Sequence, residues 1–201
     1  MSVSGSAEED VVLQRLLDGV DGWLPLPEAC LLRDLAKAVH NDIVEIGSYR
    51  GRSTIALCCG AIESGRLVHS VDPHRPATGF YGGRFGPEDR EFYFRNLLAS
   101  GMAQRAALIN LTSAQAGRSW QEPVGLLFLD GDHTYDAIRR DIDIWGPHVV
   151  ESGIVAFDDA SDPAGGPGRI IQEIIASGEY CSHVTVGKIR ALRKLGHNAD
   201  H

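Results

Sequence analysis

Five ionisable side chains, gathered in two short stretches, have the types and spacing to do chemistry. Leu126-Leu-Phe-Leu129 is an unbroken apolar run that ends in Asp130-Gly-Asp132-His133. A second run, Gly153–Phe157, ends in Asp158-Asp159. Unbroken apolar runs of this length suit strands buried on both faces. In open α/β sheets, ligands sit just outside the carboxyl ends of such strands. If the two strands are neighbours, Asp130, Asp158 and Asp159 converge at one edge. Carboxylates a few ångströms apart resist ionising together, and a divalent cation removes that penalty. An all-oxygen set with room for water suits Mg²⁺ or another hard ion rather than zinc. A calcium loop is excluded, because its sixth position would be Tyr135 instead of glycine and its twelfth Asp141. Taken alone, Asp158-Asp159 also fits a plain turn or a helix cap.

Asp132 and His133 are left as candidate bases. Imidazole has the ordinary pKa nearest neutrality, although a histidine here also suits a helix start bonded to backbone. Tyr135 fits a substrate contact or simple packing.

A second constellation lies earlier. Glu45-Ile-Gly47-Ser-Tyr-Arg-Gly51 follows a short apolar run and opens a helical stretch. Glycines let backbone approach a ligand without a Cβ clash, and the helix that follows aims free N–H groups at the same place. Asp72 ends the next apolar run, where an acid accepts bonds from ribose hydroxyls. A nicotinamide dinucleotide would use this geometry too. The three-glycine fingerprint of that class is missing, and Glu45 is a poor neighbour for a pyrophosphate. A cationic sulfonium bearing an amino group fits better.

The elements that position these residues follow from periodicity and breakers. The chain has 201 residues with 43% hydrophobic side chains, enough for one domain with a full core. Residues 1–40 form a helical cover, 41–195 an α/β core and 196–201 a loose tail. Residues 1–6 are small and polar and predict a frayed start. Val11, Val12, Leu16 and Leu17 have helical spacing, and a second helix starts at Pro27-Glu28 with Leu31, Leu32, Leu35 and Val39 on one face. These helices are expected to cover a sheet edge or to take part in a homodimer contact. Strands are predicted at Asp42–Ile46, Leu67–Val71, Ala106–Asn110, Leu126–Asp130 and Gly153–Phe157. Helices are predicted at Ser53–Ile62, Glu91–Ser100, Ser113–Trp120, Thr134–Trp145 and Arg169–Ser177. A hairpin, Tyr180–Val186 with Ile189–Leu195, turns at Gly187-Lys188. Such an order describes a Rossmann-like, doubly wound sheet that gains an antiparallel strand at its end. His74–Asp89 reads as a long loop, whose His74, Arg75, Phe80, Tyr81, Arg84 and Phe85 would form a lid over an acceptor or merely anchor the loop.

Val44-Glu-Ile-Gly-Ser-Tyr-Arg-Gly-Arg-Ser53, Val71-Asp-Pro73 and Leu127-Phe-Leu-Asp-Gly-Asp-His133 resemble class I S-adenosylmethionine-dependent O-methyltransferases. The likeness is to the metal-dependent group that includes catechol O-methyltransferase and small bacterial sugar O-methyltransferases, and it covers roughly residues 42–160. It implies that Glu45, Gly47 and Ser48 meet the methionine part of S-adenosylmethionine, with Tyr49, Gly51 and Ser53 in the same turn. Asp72 would hold the ribose, and Ser113-Ala114-Gln115 would lie beside the adenine. Asp130 would serve both cofactor and metal, Asp158 and Asp159 the metal, and Asp132 or His133 the proton. The acceptor would be a hydroxyl of a sugar, an oligosaccharide or polysaccharide such as a methylated mannoside, or a natural product. The His74–Asp89 stretch departs from the family as an insertion.

Net charge and composition limit the partners. A formal charge of −8 and pI near 5.4 do not suit a nucleic-acid binder, which needs a basic face. No apolar run approaches membrane-span length, the acidic start is no signal peptide, and Cys30, Cys58, Cys59 and Cys181 form no Cys-x-x-Cys pair. These features predict a cytoplasmic protein with reduced thiols. Two alternatives stay beside the transferase: a nicotinamide-dependent oxidoreductase, and a cofactor-binding scaffold without catalysis. The first needs a Tyr-x-x-x-Lys relay, yet Arg139 follows Tyr135 by four and the only lysines are Lys37, Lys188 and Lys194.

Overall fold

The structure, a computed structural model, describes residues 6–79 and 82–196. Seven strands form one sheet: β1 (Asp42–Ile46), β2 (Val68–Val71), β5 (Ala106–Ile109), β6 (Val124–Leu129), β7 (Val149–Phe157), β8 (Tyr180–Val186) and β9 (Ile189–Lys194). Their order is β5-β2-β1-β6-β7-β9-β8. The chain runs outward from β1 to β5, then returns to place β6 on the other side of β1. The switch point therefore lies between β1 and β6, where Ile46 pairs with Leu129, and that is where an open α/β sheet binds its ligand. β9 is antiparallel to both β7 and β8, so the antiparallel strand expected from the hairpin sits one place in from the sheet edge.

Strand parity divides the core in two. Ile43, Val68, Leu126, Phe128, Ile154 and Ala156 face one layer, with α1 (Ala7–Leu17), α2 (Leu26–Ala38), α3 (Arg52–Ala61) and α4 (Pro87–Ala99). Val44, Val71, Leu127, Val155 and Phe157 face the other, with α5 (Ser113–Gly117), α6 (Tyr135–Trp145) and α7 (Gly166–Ala176). The N-terminal helices thus lie on a face of the sheet, not on its edge: Leu32, Leu35 and Ala36 of α2 are buried in the first layer. In α1 the inward residues are Leu13 and Leu17, while Val11 and Val12 are exposed.

Several local expectations need correction. Ser6 does not fray. Its hydroxyl accepts the Glu9 N–H and the Glu9 carboxylate accepts the Ser6 N–H, a capping box that fixes the start of α1. His74–Asp89 is not one long loop. It holds a short antiparallel ribbon, β3 (Ala77–Thr78) with β4 (Arg84–Phe85), and its last three residues are the first turn of α4, which Pro87 is preset to enter. The helix from Ser113 ends at Gly117, and β7 begins at Val149. Residues 1–5, on which the rest of the frayed-start expectation falls, Phe80, Tyr81 and the tail beyond residue 196 lie outside the described residues. All four cysteines are free thiols. Among the described residues no helix is long and apolar enough to cross a membrane.

Candidate active site

A cavity of about 1340 Å³ opens at the carboxyl ends of β1, β2, β6 and β7. Pockets for one small ligand run to roughly 300–1,000 Å³, so this one has room for two reactants side by side. Its floor is the glycine turn after β1. Gly47 stands at φ +87°, and a Cβ there would lie 2.3 Å from the Asp130 carbonyl oxygen. Only glycine lets the β1 turn pass so closely over the end of β6. Gly51, at φ +86°, caps α3 and donates its N–H to the Ser48 carbonyl at 2.7 Å. Gly47, Ser48, Tyr49 and Ser53 line the cavity, whereas Gly51 holds the turn from behind. Ser48 lines this space, and its buried hydroxyl has no hydrogen-bond partner among the described residues.

Asp72, at the end of β2, lines the cavity and braces the turn. One carboxylate oxygen accepts the Ser48 and Tyr49 N–H groups, each at 2.9 Å, and the other accepts the His74 N–H. Ser113 and Ala114 reach the cavity from the first turn of α5. The Ser113 hydroxyl donates to Asp141 at 2.6 Å and accepts the Trp145 indole N–H.

Glu45 and Gln115 are not brought to the cavity. Glu45 faces the α3 layer, fully buried, and its carboxylate accepts bonds from Ser53 (2.5 Å), Thr54 (2.5 Å) and Ser70 (2.8 Å). Burial pushes its pKa up to about 7 against the pull of those three hydroxyls. Gln115 caps its own helix, its side-chain oxygen accepting from the Thr112 N–H and hydroxyl. Thr112-Ser-Ala-Gln115 is the capping-box pattern, a sequence signal that identifies this role.

The acids do meet. Asp130, His133 and Asp158 present ligand atoms within 4.8 Å of one another. Desolvation at the strand ends, then the adjoining Asp158 carboxylate, holds the Asp130 carboxyl well above the usual carboxylate range. His133 is not apart from this cluster: its Nε2 lies 3.8 Å from Asp130 and 3.6 Å from Asp159. Asp159, at φ +49°, sits beside the cluster and faces a cation, the Lys188 ammonium. Lys188 Nζ lies 2.6 Å from Asp158 and 3.0 Å from Asp159. Desolvation works against that charge, but the two carboxylates outweigh it and raise the lysine pKa. Asp132 is exposed on the cavity wall and accepts the Thr134 N–H at 2.9 Å, an Asx turn leading into α6. Tyr135 turns away, with its hydroxyl on Glu173 and its ring under Arg169.

Three cavity features had no sequence assignment. Lys188 arrives from the β8–β9 turn. Trp23 lies between α1 and α2, 66% exposed, with its ring 5.4 Å from Tyr49 and 6.4 Å from Phe85. Arg52 pins that segment, donating to the carbonyls of Leu17, Val20 and Leu24. The third is Arg140, exposed on α6 beside Asp132 and Asp141 in the cavity lining. Of the stretch expected to form a lid, His74, Arg75 and Phe85 line the cavity.

Residues 44–160 match a family model described as a methyltransferase domain. Solved structures share the fold over nearly the whole chain. An O-methyltransferase from Bacillus cereus in complex with SAH is 18% identical with a TM-score of 0.62, covering 94% of this chain and 92% of its own. TomG, an O-methyltransferase from Streptomyces achromogenes involved in tomaymycin synthesis and solved with SAM, is 16% identical with a TM-score of 0.64, covering 98% and 93%. CalS11, a TDP-rhamnose 3'-O-methyltransferase of calicheamicin biosynthesis, is 17% identical with a TM-score of 0.59, covering 94% and 95%.

Proposed function

Since the chain belongs to the methyltransferase-domain family, we propose that it moves the methyl group of S-adenosylmethionine to a hydroxyl oxygen, with a hard divalent cation at the acid cluster. One observation carries the reading: a cavity large enough for two reactants joins the β1 glycine turn to the Asp130–Asp158 corner. The residues fit the methyl donor. Gly47 leaves a cradle that a Cβ would fill, and the buried, unpartnered Ser48 hydroxyl is available to a polar group. Ser53 lines the same turn, and in this reading Asp72 takes the ribose hydroxyls while Ser113 and Ala114 form the adenine side.

The residues also fit the cation. Asp130, Asp158 and His133 converge, and the buried Oδ1 of Asp158 has no hydrogen-bond donor among the described residues; Asp159 stands beside them. Two or three carboxylates suit Mg²⁺ or Mn²⁺, and one imidazole in the set favours Mn²⁺ or another transition ion over Mg²⁺. A bound cation would lower the pKa of an acceptor hydroxyl, as it does that of water. In this reading His133 is a ligand, and Asp132 on the cavity wall takes the acceptor's proton, a contribution of roughly 10²–10⁴ in rate. The rest is orientation in line with the departing sulfur. Trp23, Tyr49 and Phe85 offer rings on which a sugar face packs, which supports a saccharide or a glycosylated natural product as acceptor, a methylated mannoside among them. The sugar substrate in the name of CalS11 points the same way.

The test is transfer of labelled methyl from S-adenosylmethionine to a panel of nucleotide sugars, mannosides and glycosides, with and without EDTA. Full turnover in EDTA, or in Asp158→Asn, would remove the metal role. Failure to bind S-adenosylhomocysteine would remove the methyl-transfer reading itself. In Asp132→Asn, kcat should fall while S-adenosylhomocysteine affinity holds.

A further inference from the structure

Lys188 and a metal ion require the same carboxylates. The ammonium is within hydrogen-bond distance of Asp158 and Asp159, and the ion would use Asp158 with Asp130 and His133. Like charges repel strongly at such separations in a partly desolvated site. We infer that Lys188 is a tethered cation that neutralises the strand-end acids while the metal is absent and must swing away when it binds, so that one side chain sets the metal affinity. This rests on the cation reading above.

The backbone under Lys188 is built to hold still. Its N–H donates to the Glu28 carboxylate at 2.9 Å, and its carbonyl accepts the Ala160 N–H at 2.9 Å. Gly187, at φ +55°, packs so closely that a Cβ would come within 2.1 Å of Glu28 Oε1. The anchor is itself buried: Glu28 is 5% exposed, and desolvation raises its pKa. The turn therefore stays where it is, and only the side chain is left to move. That side chain is 26% exposed and lines the cavity, so a flexible four-carbon stem can carry its charge toward solvent. Asp158 has the matching asymmetry: Oδ2 takes the lysine, while the buried Oδ1 has no hydrogen-bond donor among the described residues. An ion arriving from the Asp130 and His133 side would find an acceptor already waiting.

The experiment is calorimetric titration of the whole chain with MnCl₂ and MgCl₂ alone, without methyl donor or acceptor, for wild type, Lys188→Met and Lys188→Gln. Removing the competing charge should tighten Mn²⁺ binding by about tenfold or more. Adding Asp158→Asn to Lys188→Met should abolish the gain. Thermal unfolding is the second readout and keeps the test valid if one variant folds poorly. Without metal the variants should melt below wild type, because their acids are uncompensated, and Mn²⁺ should raise their Tm more than it raises that of wild type. Unchanged or weaker metal binding in a folded Lys188 variant overturns the inference and leaves the cation reading standing. If neither wild type nor any variant takes up either ion, both fall, while S-adenosylhomocysteine binding reports separately on methyl transfer.

Discussion

Glu45 should make stability depend on pH in the direction opposite to ordinary acid denaturation, and replacing it with glutamine should remove that dependence. Glu45 is fully buried, and its carboxyl titrates near 7 instead of the ordinary 4.5. Between those two values the unfolded chain has released the proton and the folded chain still holds it. Stability therefore falls as pH rises through this window, and is fullest below the unfolded value. At about 1.4 kcal/mol per unit of difference, the loss amounts to roughly 3 kcal/mol. Glutamine keeps the shape and carries no charge at any pH: its amide oxygen can still accept from Thr54 and Ser70, and its NH2 can donate to the Ser53 hydroxyl. Urea unfolding of both proteins at intervals from pH 5 to 8 isolates the residue, because every other titrating group is common to the two. The variant should gain roughly 2–3 kcal/mol on wild type across that range. Parallel stability curves would refute the reasoning. They would mean that the three hydroxyls overcome desolvation and keep Glu45 ionised throughout.

Other substitutions test the rest of the site. Gly47→Ala should cost roughly 3 kcal/mol, because its Cβ meets the Asp130 carbonyl; denaturant unfolding gives the stability and calorimetry should show S-adenosylhomocysteine binding weakened at least about tenfold. Arg52→Met strands the carbonyls of Leu17, Val20 and Leu24, which should cost roughly 3 kcal/mol and speed limited proteolysis between residues 18 and 25. Trp23→Ala removes a mostly exposed ring, so stability should change by less than about 1 kcal/mol. Acceptor KM should rise several-fold with kcat and S-adenosylhomocysteine affinity unmoved.

The sheet was legible because each parallel strand is a short apolar run closed by a breaker or an acid. The meeting of Asp130 and Asp158 follows from the same runs once β6 and β7 pair, with Leu129 opposite Phe157. What could not be read was direction. Glu45 comes two residues before the turn and looks aimed at a ligand, yet strand parity sends it to the α3 layer, opposite Ser70 of β2. The serine and threonine at 53 and 54 were the signal, since buried hydroxyls on the next helix turn suit a buried carboxylate better than a cofactor. Sequence alone makes His133 a candidate base, because its distance from Asp159 exists only after two strands align. Lys188 and Trp23 come from turns at opposite ends of the chain, and no periodicity links a turn to the cavity it overhangs. The ribbon within 74–89 escaped because two-residue strands carry no alternation to detect.

The bond from Lys188 to Glu28 spans 160 residues, and β9 must slot between β7 and β8. These two facts set a schedule for biosynthesis. A growing chain on the ribosome can form β1, α3 and the glycine turn early, but β7 stays an open sheet edge until β9 arrives. An unpaired, apolar edge is a site for aggregation, and closing contacts so distant in sequence is slow. Until residue 188 has been made, Glu28 has no turn to anchor and the strand-end acids have no ammonium among them. The polypeptide therefore acquires its charge-balanced pocket and its protected edge in one late step, and a stalled or clipped chain that lacks the hairpin would present both defects to the cell's chaperones and proteases at once.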